Sequence, residues 1–203
     1  MPDISGVVLA GGQSRRLGTN KAFLKLGQKS LIERAVSTLG EIFQEVLVIT
    51  NQTIPNLPQK VRVLPDIFPG KGSLGGLYTG LINSMHSHIF AVACDMPFLD
   101  PKFIRFMLTD FTPWDIVIPR DQEGYQPLHA IYSRNCIPYI EKQLTQGRLA
   151  IIEFFNLVKL NVIEGEKLEM FNKNGLTFFN INTLEDWQKA QLVASHMKEE
   201  RFI

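Results

Sequence analysis

The sequence predicts an α/β protein with a Rossmann-like, three-layer α/β/α architecture around a mostly parallel sheet. Two observations lead there. In the first half, short runs that are apolar throughout alternate with helical patterns. Strands buried on both faces belong to parallel sheets covered by helices, and right-handed crossovers then give a doubly wound arrangement. The second observation is size. A chain of 203 residues, 45% hydrophobic and 20% charged, is long enough to bury one full core, so a single domain over 1–203 is expected.

Taken in order, "ISGVVLA" (4–10) reads as a buried strand ending at Gly11-Gly12. Ser30-Leu31-Ile32-Glu33 is a capping box and predicts a helix over 31–39 that stops near Gly40. "EVLVIT" (45–50) and "VRVLP" (61–65) are the second and third strands, the latter ended by Pro65. A glycine-rich loop (70–76) leads into a helix reaching about Met85, and "HIFAVAC" (88–94) is a fourth strand. Asp100 and Pro101 suit the N-cap and first position of the next helix. Beyond it, strands are expected over 114–120, 128–132, 157–163 and 176–181. A helix over 135–146 forms despite Pro138, and Thr183 to Asp186 opens a last helix to about Met197.

Composition excludes several roles. A formal net charge of +1 argues against broad binding to nucleic acid. No run approaches the ~20 apolar residues that span a bilayer, and the first apolar run has no basic flank like that of a signal peptide. Two cysteines, Cys94 and Cys136, make neither a disulfide framework nor a metal cluster, and Cys94 reads as a small core residue. A cytoplasmic protein with no membrane partner is the expectation. His86, His88, His129 and His196 show no metal-ligand spacing.

In open α/β sheets the ligand lies beyond the carboxyl ends of the strands. There the charge is uneven: residues 11–29 hold Arg15, Arg16, Lys21, Lys25 and Lys29 and no acid. Gly11 and Gly12 let a backbone approach a ligand closely, and the neighbouring cations supply what a polyphosphate needs. The P-loop pattern is absent. Gly70 to Gly75 matches G-x-G-x-x-G, with Asp95 20 residues further on, but Pro65 to Pro69 separates the glycines from their strand. That context does not suit a dinucleotide fingerprint.

Asp95 ends the fourth predicted strand, where a carboxylate can hold Mg²⁺ together with substrate phosphates; as an isolated aspartate it also reads as a turn residue. Asp66, after the third strand, reads equally as a turn residue or as a contact to a nucleoside or second metal.

"VVLAGGQSRRLGTNKA" resembles the signature of MobA-type nucleotidyltransferases, L-A-G-G-x-S-x-R-M-G-x-D-K. "LPDIFPGKGSLGGLYTGL", "FAVACDMPFL", "GYQPLHAIYSRNCIP" and "FFNINTLEDWQKA" are similar to the family's later elements and follow its order. The resemblance implies a nucleotide-diphospho-sugar-transferase-like fold and transfer of GMP from GTP to molybdopterin (the molybdenum cofactor), with release of pyrophosphate and with Mg²⁺ as cofactor. Leu9, Ala10, Gly11 and Gly12 would meet the nucleotide, and Lys21 and Arg15 its phosphates. Asn51 and Asp66 would lie near the nucleoside, Asp95 would ligate Mg²⁺, and Asn180 and Asn182 would sit across the site. It further implies a nucleotide-binding half over 1–100, an acceptor-binding half over 101–203, and transient contacts with other cofactor-biosynthesis proteins or recipient apoenzymes. Arg120, Arg148 and His129 are acceptor-site candidates, though solvated surface charge is the commoner explanation of each. Two residues depart from the pattern: Asn20 replaces an aspartate and Ser73 a proline.

The residues alone do not select guanine. A cytidylyltransferase, a sugar-phosphate nucleotidyltransferase and a non-catalytic nucleotide binder remain compatible with them. The chemistry does suit a site without an activated serine, cysteine or histidine. A phosphate monoester, with its second pKa near ~6, is already ionised at neutral pH and needs no general base. Catalysis then rests on positioning and charge neutralisation.

Overall fold

The computed structural model describes residues 3–11, 21–55, 57–172 and 174–199. Gly12, Arg15, Arg16 and Asn20 lie outside these described residues.

The strands are β1 (Ile4–Leu9), β2 (Lys25–Leu26), β3 (Lys29–Ser30), β4 (Val46–Ile49), β5 (Val61–Leu64), β6 (His88–Ala93), β7 (Ile116–Asp121), β8 (Gly124–Tyr125), β9 (His129–Ser133) and β10 (Leu160–Ile163). The helices are α1 (Leu31–Gly40), α2 (Gly72–Asn83), α3 (Pro101–Met107), α4 (Ile137–Thr145), α5 (Glu166–Glu169) and α6 (Leu184–Glu199). Among the described residues the main sheet runs β10-β7-β9-β6-β1-β4-β5, with β8 paired to β7. β1 is central and parallel to both β4 and β6; β9 runs antiparallel between β6 and β7. β2 and β3 form a separate antiparallel pair.

Every residue of β1 is buried, because helices cover both faces of the sheet. Ile4 and Val8 join α1 and α3 in one apolar layer, with Leu39, Phe103 and Ile104. Val7 and Leu9 join α2 and α4 in the other, with Leu77, Leu81 and Ile140. Each such aliphatic side chain contributes about 1.5–3 kcal/mol by leaving water. A third cluster brings Ala190 of α6 against Leu26, Leu31 and Ile181, which folds the end of the chain back onto the β2–β3 pair.

Two helix starts agree with their local signals. The Ser30 hydroxyl accepts from the Glu33 N–H while a Glu33 carboxylate oxygen accepts from the Ser30 N–H at 2.7 Å. Asp100 accepts from the Lys102 N–H at 2.8 Å, with Pro101 in the first turn.

Other expectations are corrected. Helix α2 begins at Gly72, inside the stretch expected to be loop, because its glycines serve close packing on the sheet. A Cβ at Gly80 would stand 2.9 Å from Val7 Cγ1, and one at Gly76 3.1 Å from Leu9 Cδ2. The segment 176–181 is not a strand. Its backbone is spent on turns and on docking, with the Phe179 N–H on Leu176 O and the Ile181 N–H on Asp95 O. Residues 151–157 form a 3₁₀ helix, so Leu157 precedes rather than opens the strand, which starts at Leu160. Pro138 falls in the first turn of α4, where its missing N–H costs nothing. Cys136 is buried, whereas Cys94 is only partly so.

Candidate active site

Four strands of the sheet end on one side with the residues of interest. β1 leads to Ala10 and Gly11, β4 to Asn51, β5 to Asp66, and β6 to Cys94 and Asp95. The ladder continues past the strand ends: the Cys94 N–H bonds Leu9 O at 3.0 Å and the Ala10 N–H bonds Ile49 O at 2.9 Å. These bonds fix the backbone on either side of a cleft of about 220 Å³ lined by Leu9, Ala10, Gly11, Lys21, Asp66 and Asp95. Gly72 and Ser73, at the start of α2, also line it, and among the described residues that helix start has no side-chain cap. Its first N–H groups therefore suit an electron-rich ligand.

Lys21 holds the centre. Its ammonium donates to Asp95 Oδ2 at 3.4 Å and to Asn182 Oδ1 at 2.9 Å. Burial pushes the Asp95 carboxyl above its ordinary range, and the charge and hydrogen bond of Lys21 oppose that shift. The neighbouring Cys94 thiol is pushed up to about 12 by burial and by the Asp95 charge, so it is a thiol at neutral pH and no nucleophile.

Asp66 is braced rather than free. Its Oδ1 accepts from the Phe68 N–H at 3.0 Å and from the Thr79 hydroxyl at 2.9 Å, and its own N–H donates to Asn51 Oδ1 at 3.0 Å. The turn below it needs glycine: Gly70 and Gly72 take φ of +82° and +61°. Asn51 is exposed and does not line the cleft; it supports the loop that carries Asp66.

A second cavity, of about 920 Å³, opens beyond Asn182 and is lined by Arg120, Glu164, Phe179, Asn180, Asp186 and Lys189 among others. Asn182 belongs to its wall while bonding Lys21 of the first cleft, so the two spaces meet there. Arg120 is paired with Glu164 at 2.6 Å and lies over the Tyr125 ring. The Asn180 amide donates to Phe178 O at 2.8 Å, which shapes the wall locally.

Of the acceptor candidates, Arg120 lines this cavity. Arg148 does not, and pairs instead with Glu153 at 3.6 Å. His129 is fully buried among Phe90, Phe103 and Phe178 and touches neither space. Sequence reasoning missed Asp186, a wall residue whose signal was present only as a helix start, and Lys189, whose ammonium lies over the Phe179 ring at 5.3 Å.

The chemistry of these donors fits a divalent ion that takes one or two carboxylates and completes its shell with phosphate oxygens. Asp95 is one partly buried carboxylate, and no cluster of three His, Cys, Asp or Glu residues exists among the described residues. None of their helices is long and apolar enough to cross a membrane.

Comparison with known proteins gives the family. Residues 6–159 match the profile of the MobA-like NTP transferase domain. The chain is 36% identical to a probable molybdenum cofactor guanylyltransferase of Pelotomaculum thermopropionicum, covering 99% of this chain and 98% of that protein. It is 35% identical to the molybdenum cofactor guanylyltransferase of Desulfosudis oleivorans, covering 94% and 96%. Among solved structures it resembles molybdopterin-guanine dinucleotide biosynthesis protein A of Archaeoglobus fulgidus, with a TM-score of 0.83, 25% identity, and coverage of 95% and 99%. A 4-diphosphocytidyl-2C-methyl-D-erythritol synthase of Anaerococcus prevotii shares the fold, with a TM-score of 0.70 at 14% identity over 96% of each chain.

Proposed function

The chain belongs to the MobA-like NTP transferase family, and on that premise we propose that it is a molybdenum cofactor guanylyltransferase. It transfers GMP from GTP to the phosphate of molybdopterin and releases pyrophosphate. The observation that carries this reading is the position of Lys21, whose ammonium bridges Asp95 and Asn182 where the two cavities meet. A cation so placed can neutralise phosphate charge as a group passes between two bound substrates.

The smaller cleft takes the nucleotide. All its lining residues but Leu128 precede residue 100, and those of the larger cavity all lie from Arg120 onward, which supports a nucleotide half and an acceptor half. Leu9, Ala10 and Gly11 pass the nucleotide along their backbone, with Asp66 near its nucleoside. An acceptor phosphate oxygen attacks the α-phosphorus of GTP; the new P–O–P bond forms as the bond to the bridging oxygen of pyrophosphate breaks. Lys21 neutralises charge on the phosphates, and Arg15 is proposed to assist from outside the described residues. Asp95 would hold Mg²⁺, which supplies further neutralisation of phosphate charge when bound. No side chain has to remove a proton, which agrees with a cleft that, among the described residues, is lined by no histidine and whose Cys94 stays a thiol. Two free cysteines agree with a reducing cytoplasm.

The test is pyrophosphate release from GTP with molybdopterin as acceptor and Mg²⁺ present, beside thermal unfolding with a panel of nucleotides. A ligand at 100 times its Kd adds about 2.7 kcal/mol of stability. Selective stabilisation by GTP with turnover is expected. Preference for CTP, or binding of GTP without turnover, would sink the reading.

A further inference from the structure

We propose that Asp186 is a positioning residue for the transfer: by tying down the start of α6 it holds Asn182, and through Asn182 the Lys21 ammonium, at the junction of the two cavities. The inference rests on the phosphate role proposed above for Lys21.

Asn182 lies in a stretch without regular structure, so no repeating backbone pattern of its own segment holds it in place. Two anchors do so instead. The N–H of the preceding residue, Ile181, donates to Asp95 O at 3.0 Å, and Ile181 itself is wholly buried. The N–H of Asn182 donates to Asp186 Oδ2 at 2.9 Å, and the same oxygen accepts from the Thr183 N–H at 2.8 Å. One carboxylate oxygen thus receives two consecutive N–H groups, a short nest that sets the backbone from which Asn182 Oδ1 reaches Lys21 at 2.9 Å. Helix α6 is in turn fixed by Ala190, packed against Leu26 and Leu31 of the β2–β3 and α1 region. The helix therefore transmits the position of the N-terminal half to the residue that spans the junction. Without the Asp186 carboxylate on its N–H, Asn182 is free to swing, and a displacement of ~1 Å at a reacting centre costs up to about 10²-fold in rate.

The experiment compares Asp186→Ala, Asn182→Ala, the double variant, Asp186→Asn and Thr183→Ala. Readouts are Mg²⁺-dependent pyrophosphate release, GTP affinity by calorimetry without divalent metal, and the thermal midpoint. Asp186→Ala and Asn182→Ala are each expected to lower turnover about tenfold and to weaken GTP binding alike, and the double variant to be no worse than Asn182→Ala alone. Asp186→Asn keeps an oxygen acceptor and is expected to stay within about threefold of wild type. Thr183→Ala removes the bond from the Asp186 N–H to Thr183 Oγ1, so it lowers the midpoint while turnover stays within about twofold.

Losses that multiply in the double variant would overturn the proposal. So would a turnover loss in Thr183→Ala equal to that in Asp186→Ala, which marks simple loss of a helix cap. If Asp186→Ala does not fold, a tenfold loss in folded Asp186→Asn overturns it as well. Unchanged turnover in Lys21→Ala fails differently: it removes the phosphate role of Lys21 and this inference with it.

Discussion

Lys21 and Asp95 are 74 positions apart in sequence and 3.4 Å apart in space. The pair is largely buried, with 15% and 22% of the two side chains exposed. β1 and β6 are neighbours in the sheet, which brings Asp95, two residues past the end of β6, beside the end of β1. Each charge compensates the other while no phosphate is present, which keeps both in place in a partly dry cleft.

The pair implies a trade of stability for activity at Asp95. Burial raises its folded pKa above the ordinary 3.8, so on raising the pH the unfolded chain ionises first. Stability contributed by the protonated form is present below 3.8 and lost as pH rises through the folded value. Asp95→Asn is therefore expected to melt higher than wild type at pH 7, the gap closing toward pH 4 and below. The same variant is expected to lose at least about 10²-fold in turnover, as when a preorganised charge is removed. Thermal melts across pH with a turnover assay check both; a variant less stable than wild type at pH 7 would contradict the account.

Two glycines of α2 are expected to behave differently on substitution by alanine. At Gly75 a Cβ would stand 2.9 Å from Phe68 O and 3.2 Å from Asp66 Oδ2, both held by the loop that shapes the cleft. At Gly80 it would stand 2.9 Å from Val7 Cγ1, in the core. Each change is expected to cost about 1–3 kcal/mol by overpacking. Only Gly75→Ala should raise the KM for nucleotide, severalfold, because only it moves Asp66. Equal KM values in the two variants would mean that the Asp66 loop does not shape nucleotide binding.

Glu45 organises the opposite end of β1. It accepts from the Ser5 hydroxyl at 2.6 Å and the Met85 N–H at 2.8 Å, and pairs with Arg62. Burial opposes its ionisation, but these donors together hold its carboxyl below the ordinary 4.5. Glu45→Ala takes the acceptor from the Met85 N–H, while the Ser5 hydroxyl keeps Ser84 and His86, and is expected to cost about 1–3 kcal/mol. Turnover below the melting range should not change, since the cleft lies past the other ends of the strands. A fall in turnover at a temperature where the variant is folded would place Glu45 in the site's support.

What the sequence made legible is what is local. The Ser30–Glu33 box, the Asp100–Pro101 start and the wholly buried strands β1, β4 and β6 each depend on residues within a few positions of one another, and these appear where expected. The run 176–181 failed for a physical reason: apolar residues are needed equally by a strand and by a segment that docks, and Phe178 and Ile181 are buried by docking. The start of α2 was hidden because glycine signals a loop locally, while here it allows a helix to approach Val7 and Leu9. In the site, strand ends pointed to Gly11, Asp66 and Asp95. The bond from Lys21 to Asn182, across 161 positions, depends on how α6 folds back, which no local pattern encodes.

His129 gives the last expectation, one of acid sensitivity. Its ring is wholly buried among Phe90, Phe103 and Phe178, and neither ring nitrogen has a hydrogen-bond partner among the described residues. Burial lowers its pKa from 6.5 to about 3. Between those values the unfolded chain takes up a proton that the folded protein refuses. Stability is therefore full above about pH 6.5 and lost as pH falls toward 3, with a limiting slope of about 1.4 kcal/mol per pH unit. His88, held below its ordinary value by burial, contributes in the same window, so the decisive quantity is a difference between proteins. The lowered carboxyls of Glu33, Glu45 and Asp186 add to the slope only nearer their ordinary values of 4.5 and 3.8. His129→Leu keeps an apolar side chain of similar size in the aromatic cage and removes two unmatched nitrogens. It is expected to be more stable than wild type at pH 5, with a flatter dependence from pH 6.5 to 5. Urea unfolding at pH 7, 6 and 5 measures it, and parallel slopes for the two proteins would show that His129 is not the group that titrates.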